Sequence, residues 1–286
     1  MVKRYRQFFR SDADGLRISA LSICPEEMPY KGVIQLVHGM SEHKERYEPF
    51  MEYMASLGYV AVIHDHRGHG QSVRSGDDLG YMYGGGADAM LADIASVNRQ
   101  IREKFPDLPL ILMGHSMGSL AVRAFAAEHD DCMDMLIVCG SPSNRRARIA
   151  GSVIAKLEGK LFGMRHRSRL LEILSFGNYA ARFSGEKNRN AWICSDTGRY
   201  IRLITDSELC GFTFTDDALS GSVSADERAY DDEALELYEA GAACSFYQRR
   251  RRSVPGQCAA VCSGSSENER RRLQGCKRET LSGNAP

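Results

Sequence analysis

The sequence predicts an α/β chain, a mostly parallel β-sheet with helices on both faces and a helical insert behind it. Three observations carry this expectation. Short β-branched apolar runs recur through the first half of the chain, and each is stopped by glycine or by a His-Gly pair. The segments between them carry apolar residues at three- and four-residue spacing. From Pro142 to about Thr215 the strand-like runs disappear and only helical spacing remains.

Gly32 to Val37 is the first such run, read as a strand buried on both faces and ended by His38-Gly39. Tyr59 to Ile63 is the second, and Leu108 to Met113 and Met135 to Cys139 are the third and fourth, closed by Gly114 and Gly140. Between the second and third, Met90, Ile94, Val97, Ile101 and Phe105 form the apolar stripe of a helix packed on a sheet. In the insert, Ile149, Val153, Leu157 and Leu161 make one stripe and Leu170, Leu171 and Leu174 another. The expected organisation is a core over 1–141, a helical cap over 142–215 and an atypical, poorly packed tail over 216–286.

The chain has 286 residues, enough for one large domain with an insertion. Lys plus Arg and Asp plus Glu balance at 37 each, so no global field favours nucleic acid or an anionic membrane. The nine cysteines are odd in number and contain no Cys-x-x-Cys pair, which argues against a disulfide framework or a zinc knuckle and suits a reducing cytoplasm. No signal peptide is read at the basic start, and no run is long and apolar enough for a membrane span.

After the third strand comes Gly114-His115-Ser116-Met117-Gly118, followed by a helical run from Ser119. Gly-x-Ser-x-Gly between a strand and a helix is the turn that lifts a serine out of a sheet as a nucleophile. An oxyanion site needs two backbone N–H donors: one from Met117, after the nucleophile, and one from the loop after an earlier strand. His38-Gly39-Met40-Ser41-Glu42-His43 supplies that loop, with Met40 as the donor. His38 and His43 are read as loop-stabilising side chains. His64, His66 and His69 have a spacing that could hold zinc, but Gly68 stands where such sites carry Asp. The favoured reading is a sharp turn tied down by Asp65 and Arg67.

Taken together, His38 to His43, then Asp65-His66-Arg67-Gly68-His69-Gly70-Gln71-Ser72, then Gly114 to Gly118, resemble the monoacylglycerol lipase and lysophospholipase branch of the α/β hydrolases, which includes serine aminopeptidase-like proteins. The resemblance runs from about residue 10 to 215, and Cys210 to Thr215 looks like the end of that family's cap. It implies the α/β-hydrolase fold and a carboxylic ester hydrolase acting on a small lipid or ester, without a cofactor or metal. The cap holds Arg145, Arg146, Arg148, Lys156, Lys160, Arg165, Arg167 and Arg169 against Glu158, a composition suited to weak contact with a lipid surface.

Beyond residue 215 the pattern breaks. Residues 216–286 contain five Leu, three Val and one Phe, with no Ile, Met or Trp, beside Arg249 to Arg252 and Arg270 to Arg272. Such a change of character is what a shifted reading frame produces, and the sheet is expected to lack its last two strands. In this fold the triad acid and then the histidine follow the nucleophile late in the chain. The eight histidines are His38, His43, His64, His66, His69, His115, His129 and His166, so none lies in that place. Neither triad acid nor histidine is identifiable, His43 and His166 are the conceivable substitutes, and the alternative reading is a catalytically inactive remnant.

Overall fold

The computed structural model describes residues 1–142, 145–174, 207–221, 244–248 and 278–279. Its sheet has the order β1-β2-β4-β3-β5-β6-β7-β8. The four strands read from apolar runs are all present: β3 (Gly32–Val37), β4 (Tyr59–His64), β5 (Leu110–His115) and β6 (Met135–Cys139). They pair in parallel, β4 with β3, β3 with β5, and β5 with β6.

Each strand faces two cores because successive side chains point to opposite sides. On one side, Ile34, Leu36, Ala61 and Ile63 meet Met51 and Ala55 of α1 (Glu48–Ser56). On the other, Val33, Val37, Val60, Val62, Leu110, Leu112, Leu136 and Val138 meet α2 (Gly86–Lys104) and α3 (Met117–Glu128). The stripe predicted for α2 is the one that packs, with Met90, Ile94, Val97 and Ile101 buried. Full burial of one such side chain is worth about 1.5–3 kcal/mol. Gln35, polar in the middle of β3, is accommodated by donating to the Ile94 carbonyl at 3.0 Å and accepting from Asn98 at 3.0 Å.

Three features depart from the sequence reading. Periodicity did not reveal β1 (Val2–Arg10) and β2 (Arg17–Pro25), an antiparallel pair that joins the sheet through β2 against β4. β1 is exposed along most of its length, so it has no apolar face to show. Second, the sheet does not stop at β6. The backbone of β7 (Cys244–Gln248) pairs with β6 and that of β8 (Arg278–Glu279) with β7, both antiparallel. The Phe246-Tyr247 pair gives β7 the aromatic content that favours strands. The remainder of the tail lies outside the described residues, as does the part of the cap between 175 and 206.

Third, α4 (Arg145–Phe162) rests on the molecule through small residues. Ser152, Ala155 and Gly159 are buried, whereas Val153, Leu157 and Leu161 of the expected stripe are exposed. Two of the cap's basic residues bind the core. Arg165 pairs with Asp78 at 2.6 Å, and Arg167 donates to the carbonyls of Thr213, Asp77 and Leu79. No helix among the described residues is long and apolar enough to cross a membrane.

The loop after β4 is held by buried charge. Asp65 accepts from the Lys44 backbone at 2.8 Å, the Lys44 ammonium at 2.7 Å and the Gln71 backbone at 2.9 Å. Arg67 is fully buried and bonds Asp93, Asp14 and Ser11, each at 3.0 Å. His38, His64, His66 and His69 are buried beside these groups, and backbone atoms occupy three of the rings. His66 donates its ring Nε2–H to the His38 carbonyl at 3.0 Å, and the His66 backbone N–H donates to His38 Nε2 at 3.0 Å. His69 Nδ1 faces the Arg67 carbonyl at 3.0 Å, and its Nε2 accepts from the Ser41 backbone at 3.3 Å. These bonds commit the rings to the loop.

The end of the cap is laced to the loop after β3. Gly211 donates its N–H to the Ser41 carbonyl at 2.9 Å, Ser41 Oγ donates to the Phe212 carbonyl at 2.7 Å, and Phe212 and Phe214 flank His69. His43 pairs with Glu45 at 2.8 Å and also bonds Cys210. The chain stays packed beyond Thr215, for Asp217 accepts from the backbones of Met82 and Gly84, and Ala218 is in the core.

Removing Arg67 strands two carboxylates, one of them buried, so Arg67→Ala is expected to lower unfolding free energy by about 3–5 kcal/mol in urea titrations. Stability is also expected to peak near pH 6.5. Burial pushes His38 and His64 well below the ordinary imidazole range, His66 down to about 4 and His69 down to about 3. On acidification the unfolded chain binds protons that the folded one refuses, so stability falls below pH 6.5. His43 has the opposite sign. Burial opposes its charge, but the bonds to Cys210 and Glu45 outweigh burial and raise it to about 9, so its contribution is lost between pH 6.5 and 9. With His115 also pushed down to about 4 by burial, five rings against one make the acid limb the steeper. His69→Gln should reduce that limb by one proton, about 1.4 kcal/mol per pH unit; an unchanged slope would exclude His69 from it.

Candidate active site

Ser116 stands between the end of β5 and the start of α3 with φ 52° and ψ −117°, a backbone region costly for any residue but glycine. Several bonds hold it there. The Ser116 N–H donates to the Cys139 carbonyl at 2.9 Å, and the Ser116 carbonyl accepts from the Ser119 N–H at 2.9 Å. Gly118 lets the turn close, because a Cβ at that position would collide with the carbonyls of Val37 and His38. The strain therefore has a geometric source in the packing of α3 onto β3.

The loop after β3 passes directly against the serine. A Cβ on Gly39 would lie 3.1 Å from Ser116 Cβ and 3.3 Å from His115 Nδ1. The next residue is Met40, whose backbone N–H has no acceptor among the described residues. Met117 is the first residue of α3, where an N–H lacks an intrahelical partner and carries the partial positive charge of the helix end. The fold thus brings together three residues singled out in the sequence, Ser116, Met40 and Met117, on one rim of the sheet.

Glu42 organises this loop, a role that motif reading missed. Its carboxylate is 1% exposed; it accepts from the Gly39 backbone, from Tyr47 Oη at 2.8 Å and from His115 Nδ1 at 3.3 Å, and it pairs with Arg46. The signal was present as an acid four residues before an arginine, inside the His38 to His43 motif. Burial, and then the Arg46 charge, push His115 down to about 4, so the ring meets Glu42 as a neutral donor at physiological pH.

All eight histidines fall within the described residues, so the search for a base is complete. His38, His66 and His69 serve the backbone, and His64 is buried without a partner for either ring nitrogen. His43 serves Glu45 and Cys210, His115 serves Glu42, and His129 packs on Phe125. His166, the other conceivable substitute, gives its Nδ1 to Asp216 at 2.9 Å, a pairing that no motif announced. Among the described residues the Ser116 hydroxyl has no hydrogen-bond partner.

Comparison with known proteins agrees with the fold. The family model described as serine aminopeptidase, S33, matches residues 28–235, further along the chain than the motifs alone suggested. A monoacylglycerol lipase of Mycolicibacterium smegmatis is 30% identical over 156 residues, covering 51% of this chain and 51% of that one. The monoglyceride lipase of Mus musculus is 32% identical over 117 residues, covering 41% and 37%. This chain therefore spans about half or less of the length of the curated relatives it matches. A carboxyl esterase from Bacillus coagulans superposes with a TM-score of 0.69 at 26% identity, covering 78% of this chain and 72% of the other. With a serine on a strained strand-to-helix turn, an amide-lined loop beside it and a family match across more than half its length, the chain belongs to the serine aminopeptidase S33 family and has the α/β-hydrolase fold.

Proposed function

We propose that this protein is a serine hydrolase of carboxylic esters, with Ser116 as nucleophile and the Met40 and Met117 amides as its oxyanion site. The observation that carries the reading is the strained turn at Ser116, which an ordinary serine would not require. In the reaction Ser116 Oγ attacks the ester carbonyl as its proton passes to solvent water, and the two amides hold the tetrahedral oxyanion. The alcohol then leaves with a proton taken back from that water, and a second water cleaves the acyl-enzyme, giving its hydroxyl to the acid and its proton to Ser116 Oγ. The relatives' names point to a monoacylglycerol type of substrate, and a lysophospholipid is the second substrate type this reading includes. The exposed Val153, Leu157, Leu161 and Phe162 of α4, beside Lys156 and Lys160, support weak contact of the cap with a lipid surface. The odd number of cysteines without a Cys-x-x-Cys pair supports a reducing, cytoplasmic setting.

A second reading, a catalytically inactive remnant, is favoured by one observation: among the described residues no histidine makes a hydrogen bond to Ser116 Oγ. Without a base the hydroxyl loses most of its reactivity, and what remains is the contribution of the oxyanion site and binding.

A fluorophosphonate probe separates the two. The hydrolase reading expects one adduct by intact mass, absent from Ser116→Ala, and ester turnover above that variant by at least about 10³-fold. Unmodified wild-type protein with equal turnover in both would establish the remnant. Where turnover is found, Met40→Pro, which deletes one oxyanion donor, should lower kcat by about 10²- to 10³-fold. An unaffected kcat would remove Met40 from the site.

A further inference from the structure

The base of the cap holds a second constellation, apart from the serine. Glu158 lies on α4, His166 follows the turn after that helix, and Asp216 opens the helical stretch 216–221 that returns from the cap. One ligand atom from each can be chosen so that all three lie within 4.8 Å of one another. Asp216 is fully buried, and its Oδ2 meets His166 Nδ1 at 2.9 Å. Its other oxygen, Oδ1, is buried with no hydrogen-bond partner, and so is Glu158 Oε2. Two buried carboxylate oxygens without donors, in a cluster with one imidazole, are an arrangement that hydrogen bonding alone leaves incomplete.

The backbone sets this geometry before any ligand arrives. His166 donates its N–H to the Gly163 carbonyl at 2.9 Å, Asp216 to the His166 carbonyl at 2.9 Å and Asp217 to the Met164 carbonyl at 3.2 Å. The Phe162 ring lies 5.0 Å from the imidazole and covers one side of it.

We propose that Glu158, His166 and Asp216 bind a divalent transition-metal ion, zinc by preference, which staples the cap to the segment leaving it. One imidazole nitrogen and two carboxylate oxygens are a donor set that zinc accepts, with water completing four-coordination. The imidazole binds as the neutral tautomer with its proton on the nitrogen turned away from the ion. No bond in the protein is made or broken, and the role is structural. The site holds the ends of the cap together, where Gly159 also packs against Met164 and Asp216.

The test uses the full-length protein, stripped with a chelator and titrated with zinc and then with cobalt. One equivalent should bind and raise Tm. The cobalt form should show d–d absorption without the near-ultraviolet thiolate bands that binding by the nine cysteines would give. His166→Gln, at a partly exposed position, and the near-isosteric Asp216→Asn and Glu158→Gln should each weaken zinc binding by at least about tenfold. Three results would overturn the proposal: no Tm rise with zinc, thiolate bands in the cobalt spectrum, or unchanged affinity in His166→Gln and Glu158→Gln. The wild-type spectrum decides the matter even where a variant fails to fold.

Discussion

The contact between α3 and the end of β3 is so close that no side chain fits at position 118, and much of the site follows from it. With the helix drawn against the carbonyls of Val37 and His38, the chain between β5 and α3 has only the tight turn at Ser116 available. The cost of that backbone conformation is met by hydrophobic packing of α3 through Leu120, Ala121, Val122, Ala124 and Phe125. The same proximity carries the loop after β3 past Ser116, so the serine and the loop beside it are set by one packing event. What stabilises the core thus also positions the proposed site.

That loop is itself fixed from behind by groups that take no part in a reaction. Asp65 and Lys44 tie it to the turn after β4, Glu42 gathers its backbone and neighbouring side chains, and the cap's end bonds it at Ser41. Four buried neutral histidines fill the space between these ties. Hydrogen bonds to backbone atoms hold three of them in single orientations, a rigid arrangement bought at the cost of sensitivity to acid.

The central sheet was legible in the sequence because β3 and β4 are buried on both faces, β5 and β6 are buried on one and half-buried on the other, and all four read as continuous apolar runs. The strained turn at Ser116, with Met117 after it and the Met40 loop alongside, was legible because Gly-x-Ser-x-Gly between a strand and a helix needs particular residues at fixed spacing. β1 was hidden by its exposure, and β7 by an arginine-rich setting in which only Phe246 and Tyr247 signal a strand. The outward stripe of α4 misled because periodicity marks an apolar face without saying what covers it. Glu42 as a hub and the meeting of His166 with Asp216 depend on contacts between distant segments, which spacing along the chain does not encode.

The direction of β7 has a consequence for what the far half of the chain can contribute. In a parallel sheet every strand delivers the residue after its last one to the same rim, and that rim is where Ser116 sits. β7 runs the other way: Cys244 lies opposite Cys139 and Gln248 opposite Met135. The chain therefore enters β7 beside the serine's rim and leaves it at the opposite edge of the sheet. Within β7 the distance from that rim grows with residue number, so Cys244 is the residue of this strand nearest to it and Gln248 the farthest.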